Sequence, residues 1–142
     1  MKTLINLLLA TLLGASLYAQ QTYYTTGNGT GLWHDSQNWS LSETETVISG
    51  IPGPHDNVVI RHNITQFPSK NYTHYGSIVI DREGSYEIVS GLESDGSFTY
   101  AGKLLEVKGQ MIVTQAFHYQ EAASIVNSKL IVEPGALVAF TR

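Results

Sequence analysis

The chain has 142 residues, no cysteine and a formal charge of −4, with 14% charged and 42% hydrophobic residues. Such a length suits a single domain, and the apolar content with little charge excludes a disordered acidic or basic tail. The lack of cysteine excludes disulfide frameworks, thiolate-ligated zinc and thiol catalysis, and the acidic balance leaves no basic field for nucleic-acid phosphates.

Residues 1–20 read as a signal peptide. Met1-Lys2 supplies a positive charge, Leu4 to Leu13 is almost wholly apolar, and Gly14 to Ala19 is a small-residue exit, with cleavage after Ala19 or Gln20. The apolar stretch is shorter than the ~20 residues of a membrane span. The expectation is an exported protein with no membrane span after signal removal.

Residues 21–56 read as a turn-rich cap. Gly27-Asn28-Gly29-Thr30-Gly31 and Ile51-Pro52-Gly53-Pro54 are turns. Trp33 and Trp39 lie between them, and Glu43 to Ile48 suits one short strand. From residue 57 to 142 short alternating apolar runs take over: Val58/Ile60, Ile78/Ile80, Tyr86/Ile88, Leu105/Val107, Met111/Val113, Leu130/Val132 and Leu137/Ala139. Period-two alternation broken by turn residues signals strands. Gln115 to Asn127 reads as a loop.

Three strand–turn–strand blocks centre on Gly84, Gly109 and Gly135, spaced by 25 and 26 residues. Near-constant spacing of this size is a repeat signature. It predicts an all-β fold, a short right-handed β-solenoid whose coils span 57–142 and stack about 4.8 Å apart, headed by a Trp-containing cap. Each coil shields its neighbour's inner stripe. An antiparallel β-sandwich is the alternative, since its strands recur at similar intervals.

Trp33, Trp39, then Ile51-Pro52-Gly53-Pro54-His55-Asp56-Asn57-Val58-Val59-Ile60, then Ser77-Ile78-Val79-Ile80 carry a resemblance. The order of aromatic, Asn-Trp, Pro-Gly and Asp-x-Val-x-Ile before glycine-punctuated strands resembles the head region of secreted Gram-negative β-helix envelope proteins. The eight-glycine domain of larger extracellular proteins is similar. The resemblance implies a bacterial source and an exported protein, extracellular or at the outer-membrane surface, with the periplasm as the alternative. It also implies that Trp33 and Trp39 plug the open end of the first coil.

The candidate sites follow from residue chemistry. Tyr72 and Tyr75 are the ligand-binding candidates, because exposed aromatic faces stack on sugar rings. Asp56 fixes the turn before Val58 through its side-chain acceptor, and Gly84, Gly109 and Gly135 shape the turns. His34-Asp35, His55-Asp56, His62, His74 and His118 match no ligand spacing, so no metal is assigned. Calcium at Asp81, Glu83, Glu93 or Asp95 is a milder possibility left unassigned. The Asn-x-Ser/Thr triplets at Asn28, Asn38, Asn63 and Asn71 read as chance.

No nucleophile elbow occurs. Acids on adjacent coils, Glu106 with Glu87 or Glu133, are the one route to glycoside cleavage. The expected function is a non-catalytic interaction module, structural or adhesive, with no cofactor. It meets a protein partner or a second copy at the C-terminal coil, where Leu137 to Phe140 forms an edge strand. A carbohydrate-binding module contacting an extracellular glycan is the alternative, and a minimal polysaccharide-active enzyme the third reading.

Overall fold

The computed structural model describes residues 20–44, 50–68, 72–90, 98–115, 123–126 and 128–141. The head contributes β1 (Thr22–Thr25) and β2 (Trp39–Ser40), with one 3-10 turn at Ser36–Asn38 between them. Three strands follow: β3 (Asn57–Ile60), β4 (Asn63–Gln66) and β5 (Tyr72–His74). The trio recurs as β6 (Ile78–Ile80), β7 (Ser85–Ser90) and β8 (Phe98–Tyr100), and again as β9 (Leu104–Val107), β10 (Gln110–Gln115) and β11 (Ala123–Ile125). A further circuit begins with β12 (Lys129–Val132) and β13 (Leu137–Thr141). The chain is all-β.

Strands visit three sheets in rotation. The first of each trio joins a sheet of order β12-β9-β6-β3-β1-β2, the second a sheet of order β13-β10-β7-β4, and the third a sheet of order β11-β8-β5. The strand pairs are parallel, except that β2 runs antiparallel to β1. Strands that flank a glycine turn therefore do not form hairpins; β6 and β7, either side of Gly84, belong to different sheets.

Register is held by the alternation. Val58, Ile78, Leu105 and Leu130 stand level in the first sheet, as do Ile64, Tyr86, Met111 and Val138 in the second. Within each row, residues up to the third circuit are buried, and their sequence neighbours face outward. A one-residue slip would turn this whole set to solvent. Each fully buried aliphatic side chain contributes on the order of 1.5–3 kcal/mol.

Two glycines of the predicted row perform one task and the third another. Ser85 pairs with Gln110, so Gly84 and Gly109 are level. A Cβ on Gly84 would collide with the Ile60 carbonyl, and one on Gly109 with the Gly84 carbonyl. Gln110 pairs with Leu137, which brings Ala136, not Gly135, level with Gly109. Gly135 has φ +89° and open space around its Cα. The near-equal spacing of the three glycines therefore does not describe one column. The turn after β12 is longer than the turn after β9, and Gly135 serves its left-handed bend.

The predicted boundaries shift in two places. The cap contains β1, whose Thr22 to Tyr24 pair in parallel with Asn57 to Val59, so the first sheet begins inside it. The expected loop at 115–127 contains β11, paired with β8. Residues 1–19 of the signal peptide expected at 1–20, and 45–48 of the strand expected at 43–48, lie outside the described residues. The connection from the second sheet to the third also varies: Gln66 to Tyr72 is shorter than Ser90 to Phe98 or Gln115 to Ala123, yet the flanking registers hold.

Candidate functional site

At the β2 end the core is sealed. Leu32 bridges to Thr65, and the Trp33 N–H donates to the Thr65 carbonyl at 2.9 Å, which turns the Trp33 indole inward. Trp39 sits edge-on to it, ring centroids 4.8 Å apart, and donates its Nε1–H to the Trp33 carbonyl at 2.8 Å. Both indoles are at most 1% exposed. The turn holding them rests on Asp35 and Asn38. Asp35 accepts from the N–H groups of Thr30 and Gln37 and the Thr30 hydroxyl, and these bonds pull its pKa down. Asn38 takes the Gly31 N–H and donates to the Leu32 carbonyl.

Asp56 ties the cap to the first circuit. Its carboxylate accepts from the Gly53 N–H at 2.8 Å and from the Gln21 N–H at 3.1 Å, holding the Pro52-Gly53 turn ahead of β3.

Behind the tryptophans lies an aromatic interior. Tyr72 stacks on Phe98 and His74 on Tyr100, as their register dictates. Trp33 meets the edges of this group at His74 and Tyr86. Burial pushes the His74 pKa down to about 4, an effect partly offset by the Asp56 carbonyl. The His74 Nε2 and the Gln66 Nε2 are buried without a hydrogen-bond partner, while Gln66 Oε1 accepts the Tyr86 hydroxyl.

The two tyrosines expected to bind ligand part company here. Tyr72 faces inward and is partly buried, its hydroxyl 3.3 Å from His74 Nδ1, and burial raises its pKa. Tyr72 is therefore a wall of the interior and presents no stacking face with Tyr75. Tyr75 is 48% exposed and stacks on His55 at 4.8 Å.

Other polar groups are spent on one another. A cleft of about 460 Å³ lies between the glycine-rich loop and the first circuit, lined by Gly27, Asn38, Arg61, His62, Asn63 and Glu83. Arg61 is occupied by Glu43 and Asp81 and lies over the Tyr24 ring, and His62 contacts the Thr25 hydroxyl. Glu106 pairs with Lys108 at 3.7 Å on the outer face of the first sheet, whereas Glu87 meets Thr65 and Thr114 on the second. The acids expected to meet as Glu106 and Glu87 face outward from different sheets, and Glu133 lies 3.8 Å from Arg82. Among the described residues no group of three or more His, Asp or Glu converges as metal ligands; Glu93, Asp95 and His118 lie outside them.

In the last circuit, residues of the inward rows meet solvent. Leu130 and Val132 stand level with buried Leu105 and Val107, yet they are 44% and 46% exposed. Phe140, level with Val113, is 69% exposed, and Ile125, level with Tyr100, is 39% exposed. Leu137 and Val126 add to the same end. Exposed apolar side chains gathered at one end are chemically suited to association, and β12 and β13 are sheet edges among the described strands.

Sequence reasoning found the β13 edge through its apolar run but missed Ile125, which lay in the expected loop. The signal for it was Phe98-Thr99-Tyr100 repeating the spacing of Tyr72-Thr73-His74, with Ala123-Ser124-Ile125 next in turn. No helix among the described residues is long and apolar enough to cross a membrane. No protein-family model, curated protein or solved structure matches the chain.

Proposed function

We propose that the protein is a short right-handed β-solenoid, closed at its tryptophan end, that works outside the cytoplasm as a non-catalytic interaction module, structural or adhesive. The rotation of strands through three parallel sheets supports the solenoid, with the hand that parallel crossovers adopt. The pattern of residues 1–19 and the likeness to envelope β-helix heads support export. The observation that carries the role is the inner apolar row of the last circuit, exposed at Leu130, Val132 and Phe140. Burying those side chains on a protein partner recovers the hydrophobic stabilisation that the earlier circuits already have.

Site-specific photo-crosslinking in the producing cells tests this. Benzoylphenylalanine at position 140 is expected to form discrete protein adducts on illumination, and the same probe at position 87, on the outer face of the second sheet, none. Absence of any adduct from position 140 overturns the reading.

Tyr75 favours a second reading, carbohydrate binding, because its exposed ring is held flat by His55. A glycan array probed with the protein and with Tyr75→Ala decides it. Signal lost in the variant supports sugar binding, and no signal in either leaves protein contact.

A further inference from the structure

We infer that the partner seated on the last circuit is a second copy of this chain, joined to the first by antiparallel pairing of β12 with its symmetry mate about a two-fold axis at Ile131. The inference rests on the docking role proposed above and names its occupant.

The backbone of β12 divides its bonding groups between two edges. The Lys129 N–H donates to the Lys103 carbonyl at 3.2 Å and the Glu133 N–H to the Val107 carbonyl at 2.9 Å. Alternate residues of a strand turn their N–H and C=O to opposite edges. Lys129, Ile131 and Glu133 therefore spend theirs on β9, and Leu130 and Val132 direct theirs to the free edge. Two bonding residues per strand form a narrow antiparallel ladder when Leu130 of one copy lies opposite Val132 of the other. Pro134, which has no N–H, ends that ladder just beyond Glu133.

The side chains select the same register. With Ile131 on the axis, Lys129 of each copy stands opposite Glu133 of the other, both on the outer face. Leu130 and Val132 meet on the inner face, where each is now about half exposed. Shifting the axis to Leu130 or Val132 separates the opposite charges. The segment Lys129-Leu130-Ile131-Val132-Glu133 is thus complementary to itself read backwards in both charge and shape, as a two-fold contact requires. Arg82, the existing neighbour of Glu133, is 80% exposed and 3.8 Å away, too loose a contact to hold that carboxylate from a better partner.

The opposite end does not compete. Trp33 and Trp39 are buried there, and the antiparallel β2 covers β1. Among the described residues, head-to-tail stacking meets the buried tryptophans and only the single exposed side chains Leu32 and Leu41 there, so association stops at a pair and does not propagate into a filament.

The test uses the lack of cysteine. Ile131→Cys introduces a single thiol, and non-bonded antiparallel neighbours lie ~4.5 Å apart at Cα, within disulfide range. The protein, produced from its full coding sequence, is expected to convert almost entirely to a disulfide-linked pair under mild oxidation. Val79→Cys, equally outward but two strands inside the sheet, is expected to stay monomeric. By sedimentation, Lys129→Glu and Glu133→Lys are each expected to weaken self-association about 10-fold, because each turns two attractive pairs into repulsive ones. The double exchange is expected to restore it to within about 2-fold.

A monomer at all concentrations, with no disulfide-linked pair from the Ile131→Cys variant, overturns the inference. If position 140 then crosslinks to a different protein, the docking reading survives without the second copy. If it crosslinks to nothing, both fall.

Discussion

The two ends of the strand stack use the same kind of side chain and differ in what covers it. At the first end an antiparallel strand and two indoles lie over the inner rows, and Trp33, Trp39, Ile60 and Ile64 are at most 2% exposed. At the last, Leu130, Val132 and Phe140 occupy equivalent inward positions and keep roughly half or more of their surface. Inward direction alone therefore does not bury a residue in a stack of this kind; a following layer does. The closed end is buried by the chain itself, and the open end leaves equivalent side chains in solvent.

The largest expected contrast comes from truncating each end. Trp39→Ala removes a fully buried indole and its bond to Trp33, and is expected to lower unfolding free energy by ~3–5 kcal/mol. Phe140→Ala, measured in dilute solution, is expected to cost less than ~1 kcal/mol. Urea denaturation of both variants checks the pair; equal losses would erase the distinction between the ends.

Acid sharpens the comparison next, because the closed end carries the buried imidazole. The folded protein withholds a proton from His74 until the pH falls to about 4, whereas the unfolded chain takes it near 6.5. Stability that is full above pH 6.5 is therefore lost as pH falls toward 4, with a total on the order of 3 kcal/mol. His74→Phe, which keeps a ring against Tyr100, is expected to flatten that part of the pH–stability curve relative to the parent protein.

The turn glycines give a smaller contrast. Gly109→Ala drives a methyl group into the Gly84 carbonyl and is expected to cost ~1–3 kcal/mol. Gly135→Ala meets open space and bears only the left-handed backbone penalty, ~1–2 kcal/mol. Thermal melts that rank them in reverse would mean that the last turn carries more of the fold than its contacts indicate.

Much of the first two sheets was readable in advance, since Val58/Ile60, Ile78/Ile80 and Leu105/Val107 in the first and Tyr86/Ile88 and Met111/Val113 in the second alternate without interruption. The third sheet was not, because its inward positions hold Tyr72, His74, Phe98 and Tyr100 and its strands span only three residues. Aromatic and polar inward residues weaken the aliphatic alternation on which strand recognition depends. The same substitution hid β4, where Gln66 takes an inward place beside Ile64. Tyr72 misled for a related reason: a tyrosine near the surface in sequence terms became a wall once His74 and Phe98 were brought beside it. Gly135 misled because equal spacing along a chain does not guarantee equal height in a stack when turn lengths differ.

The unequal connections between the second and third sheets have a practical consequence. Ser90 to Phe98 is longer than Gln66 to Tyr72, yet β7 and β8 keep step with the strands before them. Length at that corner is decoupled from pitch, whereas a methyl group on Gly84 or Gly109 would collide with the Ile60 or the Gly84 carbonyl. A foreign peptide spliced between Ser90 and Phe98 should be carried as cargo on a rack, with the strands on either side of it still in step.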